Sequence, residues 1–201
     1  MARAAGERLD TPRRQEIFSI ATRLFYEKGY TQTSTKDIAD AAGILKGSLY
    51  AHVDSKEDIL LAVVEDIHTR FDANRKAVEE LDVPPYERLH AFLTGHLEVA
   101  LSALEHHIIY SRDWRSLSPH RYQSIRERRD TYQRYLTALL GEAQKAGRVR
   151  TDLEPRLLSI TVLTMLNSVH MWFKPGRGDT EADVSEAYLG VVLHGITTPA
   201  P

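Results

Sequence analysis

The chain contains no cysteine among its 201 residues. That excludes a disulfide framework and any thiolate-held metal or iron–sulfur cluster, and it fits a reducing cytoplasm. Charge imbalance is also missing, since 26 Lys plus Arg stand against 28 Asp plus Glu, a formal net charge of −2. Any contact with a polyanion therefore has to come from a local basic face rather than from the field of the whole molecule. Long apolar runs are absent too. The longest, Leu157 to Phe173, is interrupted by Ser159, Thr161, Thr164, Asn167, Ser168 and His170, and it falls short of the roughly 20 residues a bilayer span needs. The opening residues, MARAAGERLDTPRR, lack the apolar segment of a secretion signal and read as a basic arm carrying Arg3 and Arg8. No G-x-S-x-G elbow and no phosphate-cradling glycine loop occurs. No stretch alternates in the manner of a strand, so the fold class is all-α.

Among what is present, residues 33–58, TSTKDIADAAGILKGSLYAHVDSKED, carry the most information. Ser34 or Thr35 is suited to cap a helix starting near Lys36, and Asp37 adds negative charge to its first turn. Ile38, Ala41 and Ala42 follow at helical spacing, and Gly43 is the residue most able to take the left-handed conformation that ends a helix. Ile44 and Leu45 form an apolar pair in the turn and are expected to pack inward. A second helix, Lys46 to Val53, directs Leu49 and Val53 to the core and leaves Gly47 and Ala51 outward, flanked by Ser48 and Tyr50. Ser55 with Asp58 then forms a cap of the capping-box type for the next helix. Two short helices around a glycine turn make a helix-turn-helix.

These residues, in the order Thr35, Ile38-Ala39, Ala42-Gly43, Gly47-Ser48-Leu49-Tyr50, His52 and Ser55-Lys56-Glu57, resemble the DNA-binding domain of TetR-type transcriptional regulators. The preceding stripe Ile17, Ala21, Leu24, Phe25 and the closing Gly29-Tyr30 fit the same pattern, and the resemblance covers residues 13–60. Val53 stands where the family usually carries Phe, and Ala51 is often larger in relatives. The resemblance implies a ligand-responsive repressor that binds a palindromic operator in double-stranded DNA. Thr35 would anchor the first helix to the DNA backbone, Lys46, Ser48, Tyr50, His52 and Lys56 would contact phosphates or bases, and Gly47 would allow close approach. The local cations, Arg13, Arg14, Lys36, Lys46 and Lys56, are interspersed with acids, so a single copy offers few phosphate contacts and a homodimer is expected.

The remainder reads as helices: Ser55 to about Leu81, Tyr86 to His107, a short one around Ile108 to Leu117, and a long charged one from Pro119 to Ala146. Two terminal helices follow, around 155–173 and 180–196, each apolar on more faces than one chain easily covers, which points to pairing across a two-fold axis. The division expected is a DNA-binding domain over 11–55 and an effector-binding and dimerisation domain over 56–198.

Nine histidines raise the question of a metal. Glu65 with His68 and Glu87 with His90 have the Glu-x-x-His spacing of half a di-iron site, but no inward carboxylates complete the set, and neither metal, cofactor nor catalytic residue is expected. A helical di-iron enzyme and a helical interaction protein that binds no DNA are the rival classes. Polar groups on inward stripes, His96, Asn167 and His170, are either satisfied core or ligand contacts. Tyr110, Trp114, Tyr132 and Trp172 supply aromatic walls for an elongated pocket. Short motifs in this half, among them Glu105-His-His107 with Tyr110 and Trp172-Phe-Lys-Pro-Gly176, resemble the branch that represses fatty acid and steroid-ring catabolism. That resemblance implies an acyl-coenzyme A effector.

Overall fold

The computed structural model describes residues 11–197; the expected basic arm with Arg3 and Arg8, and the final residue of the expected second domain, 198, lie outside them. Every extended element among the described residues is a helix, as the all-α reading requires. They are α1 (Pro12–Lys28), α2 (Thr35–Ala41), α3 (Lys46–Leu49), α4 (Lys56–Glu79), α5 (Pro85–Ser102), α6 (Leu104–Asp113), α7 (Pro119–Lys145), α8 (Pro155–Asn167) and α9 (Glu181–Ile196), with 3₁₀ turns at Trp114–Ser116 and Ser168–Met171. Among the described residues the pairing of extended backbone is limited to one antiparallel bridge between Val149 and Thr197.

Local chemistry accounts for most boundaries. Thr11 caps α1 by accepting from the Arg14 N–H, with Pro12 as its first residue, and Gly29 closes it at φ +90°. Ser34 and Asp37 form a reciprocal capping box on α2, and Thr180 and Asp183 form another on α9. Gly43 takes φ +64°, a conformation that any side chain would strain.

Three expected helices differ. The helix projected from Tyr86 to His107 bends out of helical geometry at Ala103 (φ −122°, ψ 43°) and restarts as α6. No Gly or Pro marks that break, so it carries no local signal. The segment expected around Ile108–Leu117 therefore belongs to α6 and the 3₁₀ turn after it. The terminal helix expected through Phe173 ends at Asn167, where Asn167 Nδ2 donates to Leu163 O at 2.7 Å and Ser168 Oγ donates to Met165 O at 2.7 Å. Side chains that bond back to helix carbonyls compete with the ladder and tighten the last turn.

The described residues form two compact units, 11–66 with 105–125, and 67–104 with 126–197. The first takes in the start of α4 together with α6, the following loop and the opening of α7. Its core holds Ile17, Phe25, Ile38, Leu49, Ile59 and Leu60, each at most 1% exposed. In the second, α5 packs on α9 and on α8, and α8 packs on α9, around Leu89, Phe92, Leu93, Leu97, Leu136 and Leu166.

Candidate DNA-binding site

Two short helices, α2 and α3, seated on a buried core build the site. Leu49 and Val53, 1% and 3% exposed, seat α3 on Ile38 and Ala39 of α2. The helical segment is shorter than the expected Lys46–Val53. After Leu49 the chain continues through i→i+3 bonds, Ala51 N to Ser48 O at 3.1 Å and His52 N to Leu49 O at 2.9 Å. This tighter winding is characteristic of helix ends. Leu45, in the capping position, has no side-chain acceptor to offer, and α3 therefore starts without one.

Lys46, Gly47, Ser48 and Tyr50 all lie exposed on one short segment, with His52 half-buried beside them and Thr35 half-buried at the first position of α2. A Cβ added at Gly47 would meet nothing within 4 Å, and its φ is not positive. Neither packing nor backbone conformation within the chain therefore demands glycine there.

Two of the local cations have partners within the chain. Lys56, expected on phosphate, donates from Nζ to Tyr30 O at 2.9 Å and to Thr33 O at 2.8 Å, and lies 4.0 Å from the centre of the Tyr30 ring. Burial holds its amine below the ordinary lysine value. The reason is geometric: the turn between α1 and α2 presents inward carbonyls, and Lys56, at the first position of α4, is the cation that reaches them. Arg13 likewise donates to Ala42 O at 2.6 Å, which leaves Lys36 and Lys46 as exposed cations of the face. Leu45, expected inward, is 80% exposed.

A clamp that the sequence reading missed fixes this head within the first unit. Arg112 donates to the carbonyls of Phe25 and Tyr26 at the end of α1, where a cation meets the negative end of the helix. Its neighbour Asp113, 6% exposed, accepts from Tyr30 N at 3.3 Å and from Arg112 Nη2 at 2.9 Å. Arg121 at the start of α7 bonds Asp58, and Glu57 accepts from Ser118 N at 2.9 Å. That backbone bond, first among its contacts, holds the Glu57 carboxyl below its usual value. Charged residues in a segment reading RDW offer no periodic signal, so only the fold reveals their partners.

Of the seven expected ligand residues, Tyr110 and Trp114 belong to the first unit and the other five to the second. Tyr110 and Trp114 are buried in the first unit, where Trp114 stacks on Tyr122 at 5.0 Å. In the second unit His96 Nδ1 lies 3.2 Å from Tyr132 Oη and stacks on Phe71 at 4.5 Å, inside an aromatic core cluster. Asn167 bonds the α8 backbone, as described, and His170 Nδ1 lies 2.5 Å from Asn167 O. Trp172, about half exposed, donates to Tyr188 Oη at 2.8 Å. The second unit has an open groove of about 1500 Å³ between α5 and α9, lined by Tyr86, Leu101, Leu189 and Leu193 and edged by Glu98, Glu181 and Glu186 against Arg148. Among the described residues no three His, Asp or Glu side chains converge as metal ligands. Glu65 is exposed whereas His68 is buried, so that pair does not face a common point. No described helix is long and apolar enough to cross a membrane.

Residues 17–63 match the model of bacterial regulatory proteins of the tetR family, and residues 82–196 match that of the tetracyclin repressor-like C-terminal domain. The chain is 31% identical to the HTH-type transcriptional repressor KstR2 of Mycobacterium tuberculosis (strain ATCC 25618 / H37Rv) over 98% of both chains. It is 32% identical to KstR2 of Mycolicibacterium smegmatis over 94% of this chain and 95% of that one. Its fold is similar to the solved structure of the ketosteroid transcriptional regulator KstR2 of M. tuberculosis, with a TM-score of 0.87 at 29% identity over 94% and 97% of the two chains. It is also similar to AibR in complex with isovaleryl coenzyme A and operator DNA, with a TM-score of 0.78 at 25% identity over 89% and 97%. Together with the exposed residues around α3 backed by a buried helix-turn-helix core, these matches establish that the chain belongs to the TetR family of ligand-responsive, DNA-binding transcriptional regulators.

Proposed function

We propose that the protein is a cytoplasmic homodimeric repressor that holds a palindromic operator through Lys46, Gly47, Ser48, Tyr50 and His52, with Thr35 on the DNA backbone, and that an acyl-coenzyme A thioester releases it. The observation that carries the first part is the exposure of Lys46, Gly47, Ser48 and Tyr50 on a buried core, where a glycine without internal purpose sits between a cation and hydrogen-bonding side chains. Small size at that point lets the backbone approach a groove, and N-terminal residues of a recognition helix are those that meet base edges.

Dimerisation is supported by four large apolar side chains, Leu157, Met171, Trp172 and Val191, which are 49–76% exposed on the elements around 155–173 and 180–196. Pairing these two elements with their copies removes that surface from water. It also doubles the cations that meet phosphate, which the redirection of Lys56 and Arg13 makes few in one copy.

The effector class rests on the relatives, one of which was solved with isovaleryl coenzyme A. The groove between α5 and α9 is roomy enough for a thioester's acyl part, while its three glutamates repel phosphates. The division proposed is a DNA-binding domain over 11–55 and an effector-binding and dimerisation domain over 56–198. Because the clamp joins Arg112, Asp113 and Arg121 to the reading head, an effector that prefers a shifted α6 or α7 lowers the population of the DNA-competent state.

The test is a gel shift with duplexes selected by the protein from a random-sequence pool, repeated with Lys46→Ala and Tyr50→Ala and in the presence of isovaleryl-coenzyme A and longer acyl thioesters. Retention by the wild type and loss by both variants supports the surface, and release by a thioester but not by free coenzyme A supports the effector class. Unchanged retention by both variants sinks the surface.

A further inference from the structure

Leu45 has the most exposed large apolar side chain among the described residues, at 80%. Its backbone is extended, with φ −68° and ψ 145°, and its carbonyl accepts from Ser48 N at 2.9 Å and Leu49 N at 3.2 Å. Its position is thereby tied to the start of α3. The core under α3 is formed by Ile38, Leu49 and Val53, all buried, while the adjacent Ile44 is half-buried.

A single exposed leucine is ordinarily unremarkable. This one shares its surface with exposed Lys46, Gly47, Ser48 and Tyr50, a cation and hydrogen-bonding groups that suit phosphates and polar base edges. A branched apolar side chain has no hydrogen bond to offer there. In the major groove the partner that matches it is the C5 methyl of thymine, the apolar group through which T·A is distinguished from the other base pairs.

We infer that Leu45 is a specificity-determining residue that reads a thymine methyl in each operator half-site. The inference rests on the reading of α3 as the DNA-binding segment, and it adds a base identity that Lys46, Ser48 and Tyr50 do not supply. Leucine at this position thus selects for an apolar spot on the groove floor, and an operator with cytosine at that position loses the contact.

The full-length protein is used to select an operator duplex from a random-sequence pool. Each thymine in a half-site is then replaced in turn by deoxyuridine, which lacks only the methyl and keeps every hydrogen-bonding group. Affinity is read by fluorescence anisotropy for the wild type, Leu45→Ala and Leu45→Met. At one thymine the wild type weakens about fourfold, the effect of removing one methyl-sized group from an apolar contact. Leu45→Ala is weaker by a similar factor on the thymine duplex and indifferent to uracil at that position, and Leu45→Met keeps the sensitivity. Equal sensitivity of wild type and Leu45→Ala at every thymine overturns the inference, as does a selected half-site in which no thymine responds. If the wild type enriches no sequence at all, the DNA-binding reading has failed as well, which separates that failure from this one.

Discussion

Acid should destabilise this protein through one histidine in the second unit. His68 is 3% exposed, and burial first, then the nearby Arg128 and Arg129, pushes its imidazole down from the ordinary 6.5 to about 4. At pH 7 the ring is neutral in both folded and unfolded chains and contributes nothing to the balance. Below pH 6.5 the unfolded chain takes up a proton that the folded chain refuses until about pH 4. Stability therefore falls with falling pH, by up to about 1.4 kcal/mol per pH unit between those values. Going from pH 7 to pH 5 removes about 2 kcal/mol, and the full separation of the two values is worth about 3 kcal/mol. Against a total of roughly 5–15 kcal/mol this is a large share. Carboxylates titrate in the same range, so the measurement is a difference: urea unfolding of the wild type and of His68→Leu at pH 7, 6 and 5. The variant should lose about 2 kcal/mol less than the wild type over that interval. In thermal melts its midpoint should fall by roughly 4–8 °C less, at about 2–4 °C per kcal/mol for a chain of this size. Should a volume-matched leucine prove poorly tolerated, His68→Gln provides the same loss of titration. Parallel pH profiles for wild type and both variants would refute the reasoning, since they would mean that His68 is protonated in the fold as easily as in water.

Gly47→Ala should raise stability by roughly 0.5–1 kcal/mol, because its Cβ meets open space and helical residues favour Ala over Gly, yet weaken operator binding; unchanged binding in a gel shift would remove the close-approach argument. Lys46→Ala should reduce the salt dependence of operator affinity by about one phosphate contact per reading head. Lys56→Met should leave that slope in place and instead cost about 1.5–3 kcal/mol in denaturant unfolding, through the lost bonds to Tyr30 O and Thr33 O. Asp113→Asn should speed hydrogen exchange at the Tyr30 amide and lower operator affinity without touching the reading segment; an unaltered exchange rate there would dissolve the clamp. Val191→Arg, at a position 63% exposed in the single chain, should yield a folded monomer in sedimentation, whereas an unchanged dimer would move the interface elsewhere.

Sequence reading reached the elements whose signals are local. The cap offered by Ser34 or Thr35, which Ser34 makes, Gly43, the Leu49 and Val53 spacing and the Ser55–Asp58 cap depend on residues within four positions of one another, and each stands where the residues place it. It failed where local signal is silent or misleading. Nothing in the composition around Ala103 announces a bend, because neither Gly nor Pro occupies it. The apolar pair Ile44-Leu45 looks like core by hydropathy, but only one inward direction exists in a turn that short, and Leu45 faces out.

The amino-acid sequence alone determined the all-α class, the helix-turn-helix and the family, since periodicity, caps and turn glycines are properties of neighbouring residues and survive without knowledge of the whole. Tertiary structure decided which cations remain available. Lys36, Lys46 and Lys56 are equivalent as letters, yet Lys56 is drawn onto Tyr30 O and Thr33 O from 26 and 23 positions away. The Arg112–Asp113 clamp on α1 spans 83 to 87 positions. A charge seeks the partner that the folded chain brings within about 3 Å, and sequence distance carries no record of that approach.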